Sequence, residues 1–103
     1  MSSSKETISN SRRFVGLHNL YGKQGLERLI KAHIAVIGVG GVGSWAVEAL
    51  ARNAIGKITM IDMDIVSESN INRQLPALQS TLGMDKTRVL KSRIQEILSL
   101  IHI

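Results

Sequence analysis

Residues 34–64 read IAVIGVGGVGSWAVEALARNAIGKITMIDMD, and this stretch decides the fold. An apolar run leads into Gly38, Gly40 and Gly43, which have the G-x-G-x-x-G spacing, and a helical pattern follows them. Asp62 comes nineteen residues after Gly43, at the end of a second apolar run. A carboxylate at that place can accept hydrogen bonds from ribose hydroxyls. The order of strand, glycine turn, helix and strand therefore predicts a nucleotide site.

Each glycine has a distinct mechanical role in such a turn. Gly38 is expected to turn the chain out of the strand, and Gly40 to let the backbone approach phosphates. Gly43 is expected to let the helix pack closely on the strand. The first turn of the helix then offers unpaired N–H groups and a partial positive charge. We therefore expect an anion at the glycine turn.

The whole pattern predicts an α/β fold, a Rossmann-like parallel sheet with flanking helices. The first strand is a continuous apolar run, typical of a strand buried on both faces. The second and third helices each carry an apolar stripe that we expect to be buried. The predicted strands are 33–38 and 57–62, the predicted helices are 24–32, 42–53 and 85–98, and the stripes are Val42, Ala46, Ala49, Leu50 and Asn53 in one helix and Leu90, Ile94, Ile97 and Leu98 in the other.

The length of 103 residues is short for a complete doubly wound domain. Residues 99–103 look like the opening of a third strand. We therefore expect 12–103 to be the N-terminal part of a larger nucleotide-binding domain, preceded by a disordered, serine-rich arm over 1–11. We expect such a fragment to be inactive alone.

The composition excludes several classes of function. The formal charge of +5 favours a polyanion such as nucleic acid, although a merely basic surface explains it equally well. The aromatic residues are only Phe14, Tyr21 and Trp45, which excludes a base-stacking platform. The chain has no cysteine, and no histidine has a second ligand at metal spacing, so we predict no metal site within it. Neither a membrane span nor a secretory signal is visible, and we expect a cytoplasmic protein.

A polar cluster after Asp62 separates ATP chemistry from NAD chemistry. Arg73 can fork onto phosphate oxygens, Asn70 can donate to them, and Lys86 offers a mobile charge where the third helix opens. Asp64 could help hold a metal ion or orient Arg73. A triphosphate attacked at its α-phosphorus needs such cations, because negative charge builds on its oxygens. An NAD-dependent oxidoreductase, which remains an alternative, needs no such clamp.

These residues resemble the adenylating family of the ubiquitin-activating enzymes, which includes bacterial activators of sulfur-carrier proteins. One branch fits best, that of the tRNA threonylcarbamoyladenosine dehydratases, and Trp45 and Asn72 point to it. The resemblance covers about Arg12 to Glu96. The matching motifs are GVGGVG at 38–43, GGVGSWAVEALAR at 40–52, DMD at 62–64, NINRQ at 70–74, and Lys86.

The resemblance implies an activity. ATP would activate the carboxylate of the threonylcarbamoyl group beside the anticodon of a tRNA, and loss of water would close a ring. Gly41 would lie against the nucleotide, Asp62 would hold the ribose, and Asn70, Arg73 and Lys86 would hold the phosphates. The family places a magnesium-binding aspartate downstream, beyond residue 103, and in related activators an arm arginine, matched by Arg13, reaches across a homodimer to the γ-phosphate.

The chain departs from the branch at three places. Asn19 stands where the branch has arginine, Val15 where it has glycine, and Leu98-Ser99 where it has Asn-Pro after the third helix.

Two alternative functions remain besides the NAD-dependent domain. The first is adenylation of the C-terminus of a ubiquitin-like sulfur carrier. The second is a non-enzymatic fragment that dimerises or senses nucleotides.

Overall fold

The computed structural model describes residues 7, 8 and 10–103. Most of the predicted arm, residues 1–6 and 9, lies outside the described residues, while Ser11 is buried. The remainder forms three helices and two strands joined by loops with short 3-10 turns. The bounds are α1 Val15–Lys31, β1 His33–Ile37, α2 Gly43–Arg52, β2 Lys57–Ile61 and α3 Lys86–Ile97.

The sheet is parallel, as predicted, and α2 connects its two strands. The register pairs His33 with Lys57 at one end and Ile37 with Ile61 at the other. His102 lies beside Lys57 in a parallel bridge, and its carbonyl accepts from Ile58 N at 2.9 Å. The predicted opening of a third strand is therefore confirmed at His102, on the side of β2 away from β1.

In the part of the chain that the structure describes, one face of the sheet is covered and the other is open. Ile58 lies on the covered face and is fully buried in one core with residues of all three helices, among them Leu26, Val47 and Leu90. The opposite face carries Ile37, which is 80% exposed, and Ile61, which is 52% exposed. The prediction that β1 is buried on both faces is wrong for this chain, because its helices meet the sheet from one side.

The apolar stripe predicted for α2 is wrong at Val42, Ala49 and Asn53, which are exposed, whereas Ala46 and Leu50 are half-buried and Leu50 packs against the core. The residues that α2 buries are Ser44, Val47, Glu48 and Ala51, whereas Val42 is 86% exposed. The polar members of the buried face each have partners, so their burial leaves no charge or hydroxyl unpaired. The predicted stripe instead faces α1, where Ala46, Ala49, Leu50 and Asn53 line a shallow groove with Tyr21, Leu29 and Ile55.

The first helix is longer than predicted. It begins at Val15 and is kinked at Gly22, whose φ of 76° lies in the left-handed region that favours glycine. The sequence suggested a start at residue 24 because glycines normally interrupt helices. Burial of Phe14 and Leu26 in the core holds both halves of the helix in place despite the kink.

The third helix agrees with its prediction. Leu90, Ile94 and Leu98 are buried, and Ile97 is half-buried. The loop before it is irregular, as expected, with 3-10 turns at Glu68–Asn70 and Gln79–Thr81. Among the described helices, none has the length and apolar character needed to cross a membrane.

One ion-pair network joins α2 to α3. The Glu48 carboxylate accepts from Arg93 Nε at 2.7 Å and Arg93 Nη2 at 3.0 Å, and Arg52 Nε adds a third bond at 2.9 Å. These bonds, the one from Arg93 foremost, lower the pKa of Glu48 despite the opposing effect of burial.

The pH dependence of stability should reveal this network. Because the pKa of Glu48 is lowered in the folded state, its contribution is present above the ordinary carboxylate range and lost as pH falls through the lowered pKa. Glu48→Gln should lower stability at neutral pH by about 1–2 kcal/mol. Thermal melts from neutral pH to about pH 3 should show a smaller acid loss for this variant than for the wild type. The matched variant Glu68→Gln, at an exposed carboxylate, should follow the wild type, and an equal acid slope in Glu48→Gln would contradict the assignment.

Candidate functional site

The glycine turn joins the C-terminal end of β1 to the start of α2. Gly38 has a φ of 85°, and its N–H donates to the Ile61 carbonyl at 2.8 Å, which ties the turn to the end of β2. A Cβ added at Gly43 would lie 1.7 Å from the Gly38 oxygen. Gly38 and Gly43 therefore turn the chain and allow close packing, as the spacing predicts.

The two middle glycines differ in what surrounds them. A Cβ on Gly40 would lie 3.3 Å from Gln74 Nε2, so a side-chain carboxamide occupies the space beside this glycine. A Cβ on Gly41 would meet nothing within 4 Å. Gly41 is therefore the open position of the turn, and the N-terminus of α2 lies directly behind it.

Asp62 is held firmly at the end of β2. Its Oδ2 accepts from Val39 N at 2.9 Å and its Oδ1 accepts from Asp64 N at 2.7 Å. The bond from Asp64 and then that from Val39 lower the pKa of Asp62, and the charge of Lys86 acts in the same direction. The carboxylate is thus ionised at neutral pH and fixed in orientation beside the glycine turn.

Asp62→Ala tests the predicted ribose contact. Loss of a hydrogen-bonded carboxylate from a nucleotide site should weaken ATP binding by about 1–3 kcal/mol. Adenosine binding should fall by a similar factor, because adenosine carries the same ribose. Calorimetric titration measures both, with the exposed carboxylate variant Glu68→Ala as control. Unchanged adenosine affinity in Asp62→Ala would show that the ribose is held elsewhere.

Lys86 is a buried cation. Its side chain is only 6% exposed, and its Nζ lies 3.7 Å from Asp64 Oδ2, whose side chain is 77% exposed. The prediction of a mobile charge is therefore wrong, because a side chain that is 6% exposed has little freedom to move. A lysine opening a helix also opposes the helix dipole. The charge is thus placed where an anion would stabilise it.

Asp64 serves Lys86 rather than Arg73. Besides the ion pair, the Asp64 carbonyl accepts from Lys86 N at 3.2 Å. The bonds of the Arg73 guanidinium run instead to the Ser69 carbonyl at 3.0 Å and to Asn72 Oδ1 at 3.1 Å. The expectation that Asp64 orients Arg73 is therefore wrong.

Asn70 is buried within its own turn. Its Oδ1 accepts from Ser67 N and Ser67 Oγ, both at 2.9 Å. Its side-chain oxygen is thus committed to the loop, and its Nδ2 protons are what it could offer to a phosphate.

Two residues of α2 that the sequence patterns did not single out as ligands, Trp45 and Ser44, dock the loop of Arg73 onto this helix. Trp45 Nε1 donates to the Arg73 carbonyl at 3.2 Å, so this half-exposed ring is not a core residue. Ser44 Oγ accepts from Leu75 N at 3.3 Å and itself donates to the Gly40 carbonyl. Gln74 lies between these anchors, and its place directly after Arg73 in the NINRQ motif is the signal that could have found it.

Arg13 is not part of this cluster within one chain. It lines a separate hollow with Phe14, Arg52 and Ile97, at the C-terminal ends of α2 and α3. The glycine turn lies at the opposite end of α2. Among the described residues, no three His, Cys, Asp or Glu side chains are grouped to hold a metal ion.

Comparison with known proteins identifies the family to which the chain is related. The family model described as "ThiF family" matches residues 12–103 of the chain. The chain is 56% identical over 86 residues to the tRNA threonylcarbamoyladenosine dehydratase of Haemophilus influenzae, covering 84% of this chain and 33% of that protein. It is 32% identical over 82 residues to the sulfur carrier protein adenylyltransferase of Thermus thermophilus, covering 80% of this chain and 30% of that protein. The chain thus spans about a third of the length of these curated relatives.

A solved structure resembles the whole arrangement. It is the Escherichia coli tRNA N6-threonylcarbamoyladenosine dehydratase, TcdA, in complex with ATP. The TM-score is 0.89 at 47% identity, covering 94% of this chain and 41% of that chain.

Proposed function

The chain belongs to the ThiF family, and we propose that it forms the ATP-binding part of an enzyme that dehydrates threonylcarbamoyladenosine in tRNA. The observation that carries the proposal is the likeness to the ATP complex of the Escherichia coli dehydratase, at a TM-score of 0.89 and 47% identity. The cluster of Asp62, Arg73 and Lys86 around the glycine turn supports it, since these groups suit a ribose and a polyphosphate.

The proposed reaction removes one water molecule from the modified nucleoside. A carboxylate oxygen of the threonylcarbamoyl group would attack ATP at its α-phosphorus, so that the adenylyl group passes to that oxygen and pyrophosphate leaves. Ring closure within the threonylcarbamoyl group would then break the bond between the carbonyl carbon and that oxygen, while the attacking group loses its proton. The oxygen that dehydration removes would therefore leave as part of AMP.

The residues of this chain would bind and neutralise the nucleotide. Asp62 is ionised and fixed by Val39 N and Asp64 N, so it can accept from ribose hydroxyls without reorganising. Lys86, buried beside one exposed carboxylate, would meet the phosphates as a preplaced charge. Arg73 would exchange its contacts with Ser69 and Asn72 for phosphate oxygens.

We further propose that the complete site needs groups beyond these. Mg²⁺ would be held by an aspartate beyond residue 103, with Asp64 as the carboxylate available nearby. Arg13 would act on a second copy of the chain, because it lies at the far end of α2 from its own glycine turn. We propose a cytoplasmic location because the proposed substrate is tRNA, and the charge of +5 suits that substrate.

A second candidate is adenylation of the C-terminus of a sulfur-carrier protein. The relative in Thermus thermophilus, 32% identical, favours it. The same ATP-binding residues would serve both reactions, so the acceptor must be tested directly.

Two measurements test the proposal. The first is a calorimetric titration of the folded chain with ATP–Mg²⁺ and, separately, with NAD. We expect binding of ATP and none of NAD, and a preference for NAD would overturn the proposal. The second uses a chimera in which residues 12–103 replace the matching segment of the Escherichia coli dehydratase. We expect the chimera to consume ATP and dehydrate modified tRNA, and ATP consumption that depended on a sulfur carrier instead would favour the second candidate.

A further inference from the structure

We propose that Gln74 is a phosphate-contacting residue of the nucleotide site, and that its carboxamide presents its N–H end to the anion bound at the glycine turn. This inference rests on the proposed ATP binding. It adds a phosphate-contacting residue that neither the family resemblance nor the comparisons assign.

The first observation is an unpartnered buried atom. Gln74 is 9% exposed, and its Oε1 is buried without a hydrogen-bond partner among the described residues. Leaving a buried polar atom unpaired costs about 1–3 kcal/mol, so such atoms are rare and usually have a reason. In the described part of the chain, Gln74 Oε1 is the one side-chain atom of this kind.

The second observation is the place of the carboxamide. A Cβ on Gly40 would lie 3.3 Å from Gln74 Nε2 and 3.8 Å from Oε1, so the amide packs against the middle of the glycine turn. The backbone on both sides of Gln74 is anchored to the first turn of α2. Trp45 binds the Arg73 carbonyl, and Ser44 Oγ binds Leu75 N. The amide is thus held at the end of α2 that attracts anions.

The charges around the Gln74 carboxamide decide which of its two ends can meet a ligand. The N–H groups at the start of α2 and the cations Arg73 and Lys86 favour a negative ligand. An acceptor oxygen is the wrong group to present to an anion, and the carboxamide already places its donor nitrogen nearer to Gly40 than its oxygen, at 3.3 Å against 3.8 Å from the added Cβ. The orientation that leaves Oε1 unpaired is therefore the one that keeps two N–H donors beside the turn for a phosphate oxygen.

A purely structural role for Gln74 makes a different prediction. If the carboxamide only packs against Gly40, replacing it should change Tm and leave the affinity for ATP unchanged. If it serves the ligand, an apolar side chain of similar length should fold at least as well, because the unpaired oxygen is gone.

The test compares Gln74→Glu, Gln74→Met and the matched control Gln79→Glu, which lies exposed in the same loop. Calorimetry measures the dissociation constants for ATP–Mg²⁺ and adenosine, and circular dichroism measures Tm. We expect both Gln74 variants to lose about tenfold or more in ATP affinity while adenosine affinity stays within about twofold. Gln74→Met should keep or raise Tm, and Gln79→Glu should match the wild type.

Two outcomes would overturn the inference alone. One is that the wild type binds ATP and the Gln74 variants bind it with the same dissociation constant. The other is a joint fall of Tm, ATP affinity and adenosine affinity, which marks a structural role. A folded wild type that binds no ATP would overturn the proposed nucleotide site itself and this inference with it.

Discussion

Gly43→Ala is expected to abolish the cooperative fold of the chain. The added Cβ would lie 1.7 Å from the Gly38 oxygen and 2.8 Å from its carbonyl carbon. Both are backbone atoms of the turn and cannot swing away as a side chain would. The expected loss exceeds about 4 kcal/mol, which is comparable to the whole stability of a small domain. Circular dichroism should show reduced helix content and no sharp melting transition.

Gly41→Ala is the matched control for this result. A Cβ there meets nothing within 4 Å, and the residue has no left-handed φ. Its effect on stability should stay within about 1 kcal/mol. A Gly43→Ala variant that melts like Gly41→Ala would show that α2 can shift away from β1 at little cost, and the close packing would not be essential.

Arg73→Ala is expected to have the largest effect on activity. An arginine that neutralises charge on a transferring phosphate is worth about 10²–10³-fold in rate. In the chimera with the Escherichia coli dehydratase, ATP consumption in the presence of modified tRNA should fall by that factor. The fold should persist, because the exposed guanidinium bonds, among the described residues, to Ser69 and Asn72 of its own loop and to no other element.

Adenosine binding separates this role from a structural one. Arg73→Ala should weaken binding of ATP and leave binding of adenosine unchanged, in contrast to Asp62→Ala. Arg88→Ala removes an exposed arginine of α3 and should behave as the wild type in both assays. Unchanged ATP consumption in Arg73→Ala would remove Arg73 from the site.

The parallel strands and the glycine turn could be predicted because local sequence imposes them. The Gly38 turn and the approach of Gly43 to Gly38 depend on the absence of a side chain, which the sequence states directly. The position of Asp62 could be predicted because it lies nineteen residues after Gly43, at the end of the next strand. For such elements spacing alone fixes geometry.

The burial of Glu48 on α2 and the burial of Lys86 could not be predicted, because each depends on residues that are distant in the sequence. Glu48 is buried since Arg93, forty-five residues away, neutralises it. Lys86 is buried at a point where both its backbone N–H and its Nζ meet Asp64, twenty-two residues earlier in the chain. A periodicity argument treats a glutamate as exposed and a lysine as mobile, and it has no access to these pairings.

The bond between Trp45 and the loop of Arg73 has a practical consequence. Trp45 is the single tryptophan of the chain, and its indole N–H donates to the Arg73 carbonyl. Indole emission responds to the hydrogen bonding and solvent exposure of the ring. The unlabelled chain therefore carries its own optical reporter, placed where movement of Arg73 toward a phosphate would change the brightness or colour of its fluorescence.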